Sequence, residues 1–304
     1  MTAPLFIATS LAPGRDVAAQ RAAVTSWRAA GFKMLSVNAA AELPQLTRDH
    51  PDVTFVTAAK TGERVARKPV PYIHDLLKAL RADAATSGAG LTDCIVGIVN
   101  DDIHFRLSPA QMAEIAAAAQ GSLVLGARVD VADATALGGF RAAGDETYST
   151  GYDFFLMSGD LLDDFGDTPF CVGMPFWDYW MPLVALLKGR PLKALRSPVA
   201  LHIAHETRWD DTIYVYFHAL MTAVLEACEA SRGQDTSAYG RQFDLMLDAL
   251  GHLYKDAFAR GTKTGADGNV LPDAVEGLAA FYDRFQEVAV HHIKSRAVNF
   301  TLSA

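Results

Sequence analysis

Over the first 130 residues, short apolar runs alternate with helix-length stretches whose apolar positions recur on one stripe. That rhythm predicts βαβ units and a mostly parallel sheet covered on both faces. Leu5 to Ser10 is the first strand. Asp16 caps a helix that runs through Ala30 and stops at Gly31, and Lys33 to Val37 is a second strand ending at Asn38. A short helix over Leu43 to Arg48 leads into a strand from Val53 to Thr57. Pro71 opens a helix from Tyr72 to Thr86, with Ile73, Leu76, Leu77 and Leu80 on its apolar stripe and Gly88 and Gly90 behind it. Cys94 to Val99 is almost wholly apolar, the pattern of a central strand buried on both faces. Ser108, Pro109 and Gln111 form a capping box that starts the next helix.

Past Ser122 to Val129, read as a strand, the rhythm loosens. Gly138 and Gly139 mark a loop, Tyr152 to Met157 a strand, Trp177 to Leu187 a helix after the Gly173–Pro175 turn, and Val199 to Ala204 a last strand. Three helices then follow, over Ile213 to Ser231, Tyr239 to Arg260 and Ala274 to Ser295. The change near Asp210 predicts an α/β domain over residues 1–210 and a helical region over 211–304 packed on it.

Composition narrows the function classes. Half of the 304 residues are apolar and 20% are charged, enough for a sizeable core and unlike a disordered chain. Lys and Arg total 27 against 35 Asp and Glu, a net charge of −8, which argues against nucleic acid as the partner. Cys94, Cys171 and Cys228 are widely spaced in apolar surroundings, as reduced core cysteines are. No stretch reaches the roughly 20 apolar residues of a membrane span, and the first residues lack the basic start of a secretory signal, so a cytoplasmic protein is expected. The helical region suits ordinary packing or a homo-oligomer contact equally well.

Several signatures are missing. The chain has no phosphate-binding glycine loop with its lysine, no dinucleotide turn after a strand, no serine elbow and no zinc helix of two histidines. What stands out instead is Asn100-Asp101-Asp102, directly after the central strand and at its carboxyl end, where open α/β sheets bind ligands. Carboxylates on a tight turn are hard oxygen ligands suited to Mg²⁺ or Mn²⁺. Asn and Asp are also ordinary turn formers.

This segment resembles the acidic metal-binding motif of GT-A type glycosyltransferases, the nucleotide-diphospho-sugar transferase superfamily. Two later segments resemble that family in the same order: Gly173-Met174-Pro175-Phe176-Trp177-Asp178-Tyr179-Trp180, and Val199-Ala200-Leu201-His202-Ile203-Ala204-His205-Glu206. The resemblance spans about Pro4 to Asp210. It implies a Rossmann-type mixed sheet flanked by helices, a divalent metal, a nucleotide-diphosphate sugar donor, and a glycan, lipid or small molecule as acceptor.

Carried over by position, the resemblance makes Asp102 the principal metal ligand, with Asn100 and Asp101 beside metal and donor. It makes Asp178 the general base and offers His202 or His205 to the metal. Residues three apart on a regular strand face opposite sides, which favours one histidine, His202, over both. Thr9, Ser10 and Asn38 fall where the nucleoside is held, and Arg64, Arg67 and Lys68 form a basic cluster for the diphosphate, Lys68 the leading candidate. Trp177, Tyr179, Trp180 and Trp209 suit an aromatic platform or plain core, and Asp153 an acceptor hydroxyl. Two alternatives remain: a non-catalytic nucleotide or nucleotide-sugar binder, and a nucleotidyltransferase, whose glycine-rich, lysine-bearing first loop is absent from Leu11 to Asp16.

Overall fold

A computed structural model describes residues 3–144, 146–149, 151–168, 170–205, 212–231, 233, 240–241, 244–245, 248–249, 251–252 and 272–303. The strands are β1 (Leu5–Thr9), β2 (Lys33–Asn38), β3 (Thr54–Thr57), β4 (Ile95–Val99), β5 (Ile103–Phe105), β6 (Leu123–Gly126), β7 (Val129–Val131), β8 (Phe154–Ser158), β9 (Leu192–Leu195), β10 (Ala200–Ile203) and β11 (Val298–Phe300). The helices are α1 (Val17–Ala29), α2 (Leu43–Asp49), α3 (Glu63–Ala66), α4 (Ile73–Ala85), α5 (Pro109–Ala119), α6 (Ala134–Gly139), α7 (Trp177–Leu187), α8 (Thr212–Ser231) and α9 (Pro272–Arg296).

Local chemistry sets most of the first half. Asp16 accepts from the amides of Ala18 and Ala19 and so starts α1, and Gly31, at φ 94°, lets the chain turn back into β2. Ser108 and Gln111 close the predicted capping box on α5. Every residue of β4 is buried, as a central strand requires.

These strands form an eight-stranded sheet in the order β11-β9-β6-β8-β4-β1-β2-β3. Only β8 in it runs antiparallel, between β4 and β6. One face packs on α4, α7, α8 and α9 through residues such as Leu76, Trp180, Phe217 and Phe285, and the other on α1 and α5 through Trp27 and Ile115. This is the mixed, helix-flanked sheet that the resemblance implies. At Gly126 the ring of Phe154 lies so close that a Cβ would sit 2.1 Å from it, so the pairing of β6 with β8 needs glycine there.

A second sheet of three strands, β5-β10-β7, is built from the segments that follow the carboxyl ends of β4, β6 and β9. The sequence pattern corrects here in four places. The single strand expected over Ser122 to Val129 is split, because Ala127 and Arg128 carry the chain from β6 in the large sheet to β7 in the small one. Gly138 and Gly139 end a short helix, α6, capped by Asp133, rather than lying in a loop. The strand ending at Ala204 is not the last, since β11 adds to β9 in parallel at the sheet edge. β5 and β9 carry too few residues for a period to register in the pattern. Most of the helix expected over Tyr239 to Arg260, and the boundary at Asp210, lie outside the described residues. Cys94 and Cys171 are buried, reduced core cysteines, as expected. No described helix is long and apolar enough to cross a membrane.

Candidate metal centre and the cavity beside it

A cavity of about 830 Å³ opens at the carboxyl ends of β1 and β4. Its wall joins the Asn100–Asp102 turn, the start of α7, the end of β10, and Ile213, Tyr282 and Gln286 from α8 and α9.

The acidic turn divides its labour. The Oδ2 of Asp101 accepts from the Ala12 amide at 3.0 Å and from the Gln20 side-chain amide at 2.8 Å, so it ties the loop after β1 to the end of β4. Burial and the neighbouring charge of Asp102 push its carboxyl up. Asp102 points the other way. Its Oδ2 lies 3.6 Å from the Nε2 of His202 and 3.4 Å from the Nε2 of His205, and it accepts from Arg15 at 2.8 Å. Burial opposes its charge, but the His202 ring and the Arg15 guanidinium outweigh that and hold its carboxyl far below the usual range.

Both histidines therefore come to Asp102, where strand periodicity favoured one. The reason is that β10 ends at Ile203, so the alternation no longer holds at His205. The two rings meet edge to face at 4.9 Å, and one ligand atom from each of Asp102, His202 and His205 lies within 4.8 Å of the others. One carboxylate and two imidazoles are a donor set that divalent transition metals accept. His202 is 3% exposed, and its Nδ1 lies 2.7 Å from the Oδ1 of Asp130. Burial alone would lower the pKa of its ring, but Asp102 and Asp130 reverse this and raise it.

Arg128 joins the Asp130 and His202 end to the rest of the cavity. Its Nε donates to Asp130 at 2.9 Å and its Nη1 to Asp153 at 2.6 Å. Asp153 is 3% exposed and also accepts from Asn100 at 3.2 Å and Ser149 at 3.3 Å. Asp153 is thus held by protein groups, while the buried Oδ1 of Asn100 has no hydrogen-bond partner.

Asp178 sits in the first turn of α7. The residue before that helix, Phe176, takes φ 71°, which costs about 1–3 kcal/mol for a side chain of this kind. Its ring is held at 5.3 Å from Tyr282 of α9 and 5.8 Å from Phe217 of α8, so the C-terminal helices help to fix the turn that aims Asp178. The Oδ2 of Asp178 accepts from the Tyr152 amide at 3.4 Å. Burial, with the charge of Asp153 adding, pushes its carboxyl up to about 7.

The remaining candidates fall into two groups. Lys68, Asn100, Trp177 and Tyr179 line the cavity. Thr9 and Asn38 are buried away from its wall, and Asn38 is engaged with Ser36, Leu11 and Glu42. Ser10 faces Asn38 at 3.4 Å. Trp180 is core, packed between Phe165 and Phe170. The side chain of Arg64, and Trp209, lie outside the described residues. Sequence reasoning missed Arg15, Gln20, Arg128 and Asp130. The signal for the last two was present: Arg128-Val129-Asp130-Val131 alternates charge with apolar residues, which puts both charges on one face of a strand.

No family model and no curated protein matches the sequence. Among solved structures, a mannosyltransferase from Pyrobaculum calidifontis in complex with GDP-Man and Mn²⁺ is similar at 12% identity and a TM-score of 0.45, over 97% of this chain and 87% of that one. A 4-diphosphocytidyl-2C-methyl-D-erythritol synthase from Anaerococcus prevotii is similar at 11% identity and a TM-score of 0.37, over 71% of this chain and 96% of that one.

Proposed function

We propose that this chain is a metal-dependent glycosyltransferase that moves a sugar from a nucleotide-diphosphate donor to an acceptor hydroxyl. The observation that carries this is a single cavity bordered both by the Asp102, His202 and His205 cluster and by Asp178, a carboxyl poised near neutrality.

Asp102, His202 and His205 would hold the metal, and the imidazoles favour Mn²⁺ over the oxygen-seeking Mg²⁺. Bound there, the ion would neutralise charge building on the leaving diphosphate. Arg15 and Lys68, both on the cavity wall, add positive charge for the same phosphates. Asp178 takes the proton of the acceptor hydroxyl. A base works best when its pKa lies near the working pH, and its burial beside Asp153 supplies that. The Tyr152 amide steadies the carboxylate oxygen, and the buried Asp153 holds its charge nearby without needing to react.

A nucleotidyltransferase is the second reading, and Arg15 favours it: a cation from the first loop reaches the acidic turn although the expected glycines and lysine are absent. The two differ in what they release, a nucleoside diphosphate or pyrophosphate. The test is a thermal-shift screen against UDP-, GDP-, CMP- and dTDP-linked sugars with and without Mn²⁺, followed by product analysis. A ligand bound only by the folded state raises the melting temperature. We expect one donor class to do so only with Mn²⁺, with Asp102→Ala removing the effect. No shift with any donor would overturn the proposal.

A further inference from the structure

We propose that Asp130 is a positioning residue that fixes the ring of His202 for metal binding, an inference that rests on the metal centre proposed above. The three-stranded sheet sets it up. In the parallel pairing of β10 with β7, His202 is the register partner of Asp130, and in the antiparallel pairing with β5 it is the partner of Ile103, the residue after Asp102. The sheet therefore lays a carboxylate on each side of one imidazole.

The bonds follow the register. With Asp130 2.7 Å from Nδ1, that nitrogen donates its hydrogen bond to Asp130, so the proton on Nε2, which faces Asp102 at 3.6 Å, is the one a metal would displace to reach the lone pair there. Nε2 is the atom a metal needs. Metal-bound histidines are commonly oriented by a carboxylate on the other ring nitrogen, which also raises their basicity. The ring is 3% exposed, so water is poorly placed to take over this bond.

Asp130 itself is about half exposed and would swing freely if left alone. Arg128, two residues earlier on the same face of the chain, prevents that: its Nε donates to the same Oδ1 of Asp130, and its Nη1 is anchored on the buried Asp153. The order of restraint runs from Asp153 through Arg128 and Asp130 to His202.

Mn²⁺ binding to the full chain, followed by electron paramagnetic resonance, tests this. Asp130→Ala should weaken Mn²⁺ binding by roughly 10- to 100-fold, the usual cost of losing such an outer partner. Asp130→Asn keeps an acceptor oxygen and should recover most of the loss, which a general effect on folding would not do. A long-range ¹H–¹⁵N spectrum of the metal-free protein in alkaline buffer, with the ring assigned by His202→Gln, should show His202 protonated at Nδ1, and Asp130→Ala should abolish that preference. A wild-type ring protonated at Nε2, or an Mn²⁺ affinity untouched by Asp130→Ala in a chain that binds Mn²⁺, overturns the inference. An Asp130-dependent Nδ1 tautomer in a wild-type chain that binds no Mn²⁺ overturns the metal centre instead, while upholding the hold of Asp130 on the ring.

Discussion

Asp102 and Asp178 border the same cavity, yet the protein treats these two carboxylates in opposite ways. Both lose water. Asp102 is compensated by Arg15, His202 and His205, and it stays ionised. Asp178 has no cation beside it among the described residues, only backbone amides such as that of Tyr152 at 3.4 Å, and with burial and the negative charge of Asp153 its pKa rises to about 7. When neighbours push two acids apart in this way, one is suited to hold charge and the other to exchange a proton. The difference lies in the partners, since the residue type is the same.

The contrast breaks most sharply at Asp178. Asp178→Asn keeps the shape and removes the proposed base, so turnover should fall by about 10²- to 10⁴-fold, while the Mn²⁺-dependent thermal shift survives. Unchanged turnover would show that Asp178 only starts α7. At the other end, Asp102→Ala should weaken Mn²⁺ binding by more than the roughly 100-fold that bounds the loss of an outer-shell partner. Titration with Mn²⁺ decides it, and a wild-type affinity would remove Asp102 from the centre.

Gly151→Ala sharpens the comparison by moving only one end. A Cβ there would lie 2.7 Å from the Oδ2 of Asp178, a side-chain tip that must swing away. A displacement of about 1 Å can cost up to about 10²-fold in rate, so kcat should drop with Mn²⁺ affinity unaltered. A parallel loss of Mn²⁺ binding would mean the two ends do not act separately.

The pH dependence gives a smaller but signed effect. A base must be deprotonated, so kcat should climb with pH and level off above about 7, and Asp178→Asn should erase that limb. Stability runs the opposite way. The folded state keeps this proton between the ordinary carboxylate value and about 7, so the stabilisation is full below that window and lost as pH rises through it. Asp178→Asn should therefore raise the melting temperature relative to wild type more above pH 7 than below it. An equal gain at both would contradict the raised pKa.

Much of this was legible in the residues. The apolar run of β4, the Asp16 and Ser108 caps and the position of Asn100–Asp102 after a central strand are all local signals, and each reappears in the structure. Asp178 at the start of α7 was readable for the same reason. The small sheet was not. β5 and β7 have three residues each, too few for a two-residue period to register, and what joins them is β10, which pairs with both from far along the sequence. Thr9 and Asn38 show the converse: strand ends placed them near the ligand side, but Ser36, Leu11 and Glu42 occupy the hydrogen bonds of Asn38.

The sequence by itself determined the longer strands and helices of the large sheet, the acidic turn and the types of residue available for chemistry, because periodicity and capping act over a few neighbouring residues. Only the tertiary structure decided that both His202 and His205 reach Asp102, that Asp101 turns to the loop after β1, and that Asp130 meets both His202 and Arg128. Those outcomes depend on strand register and on burial, which decide whether a carboxylate meets a cation, an amide or another charge.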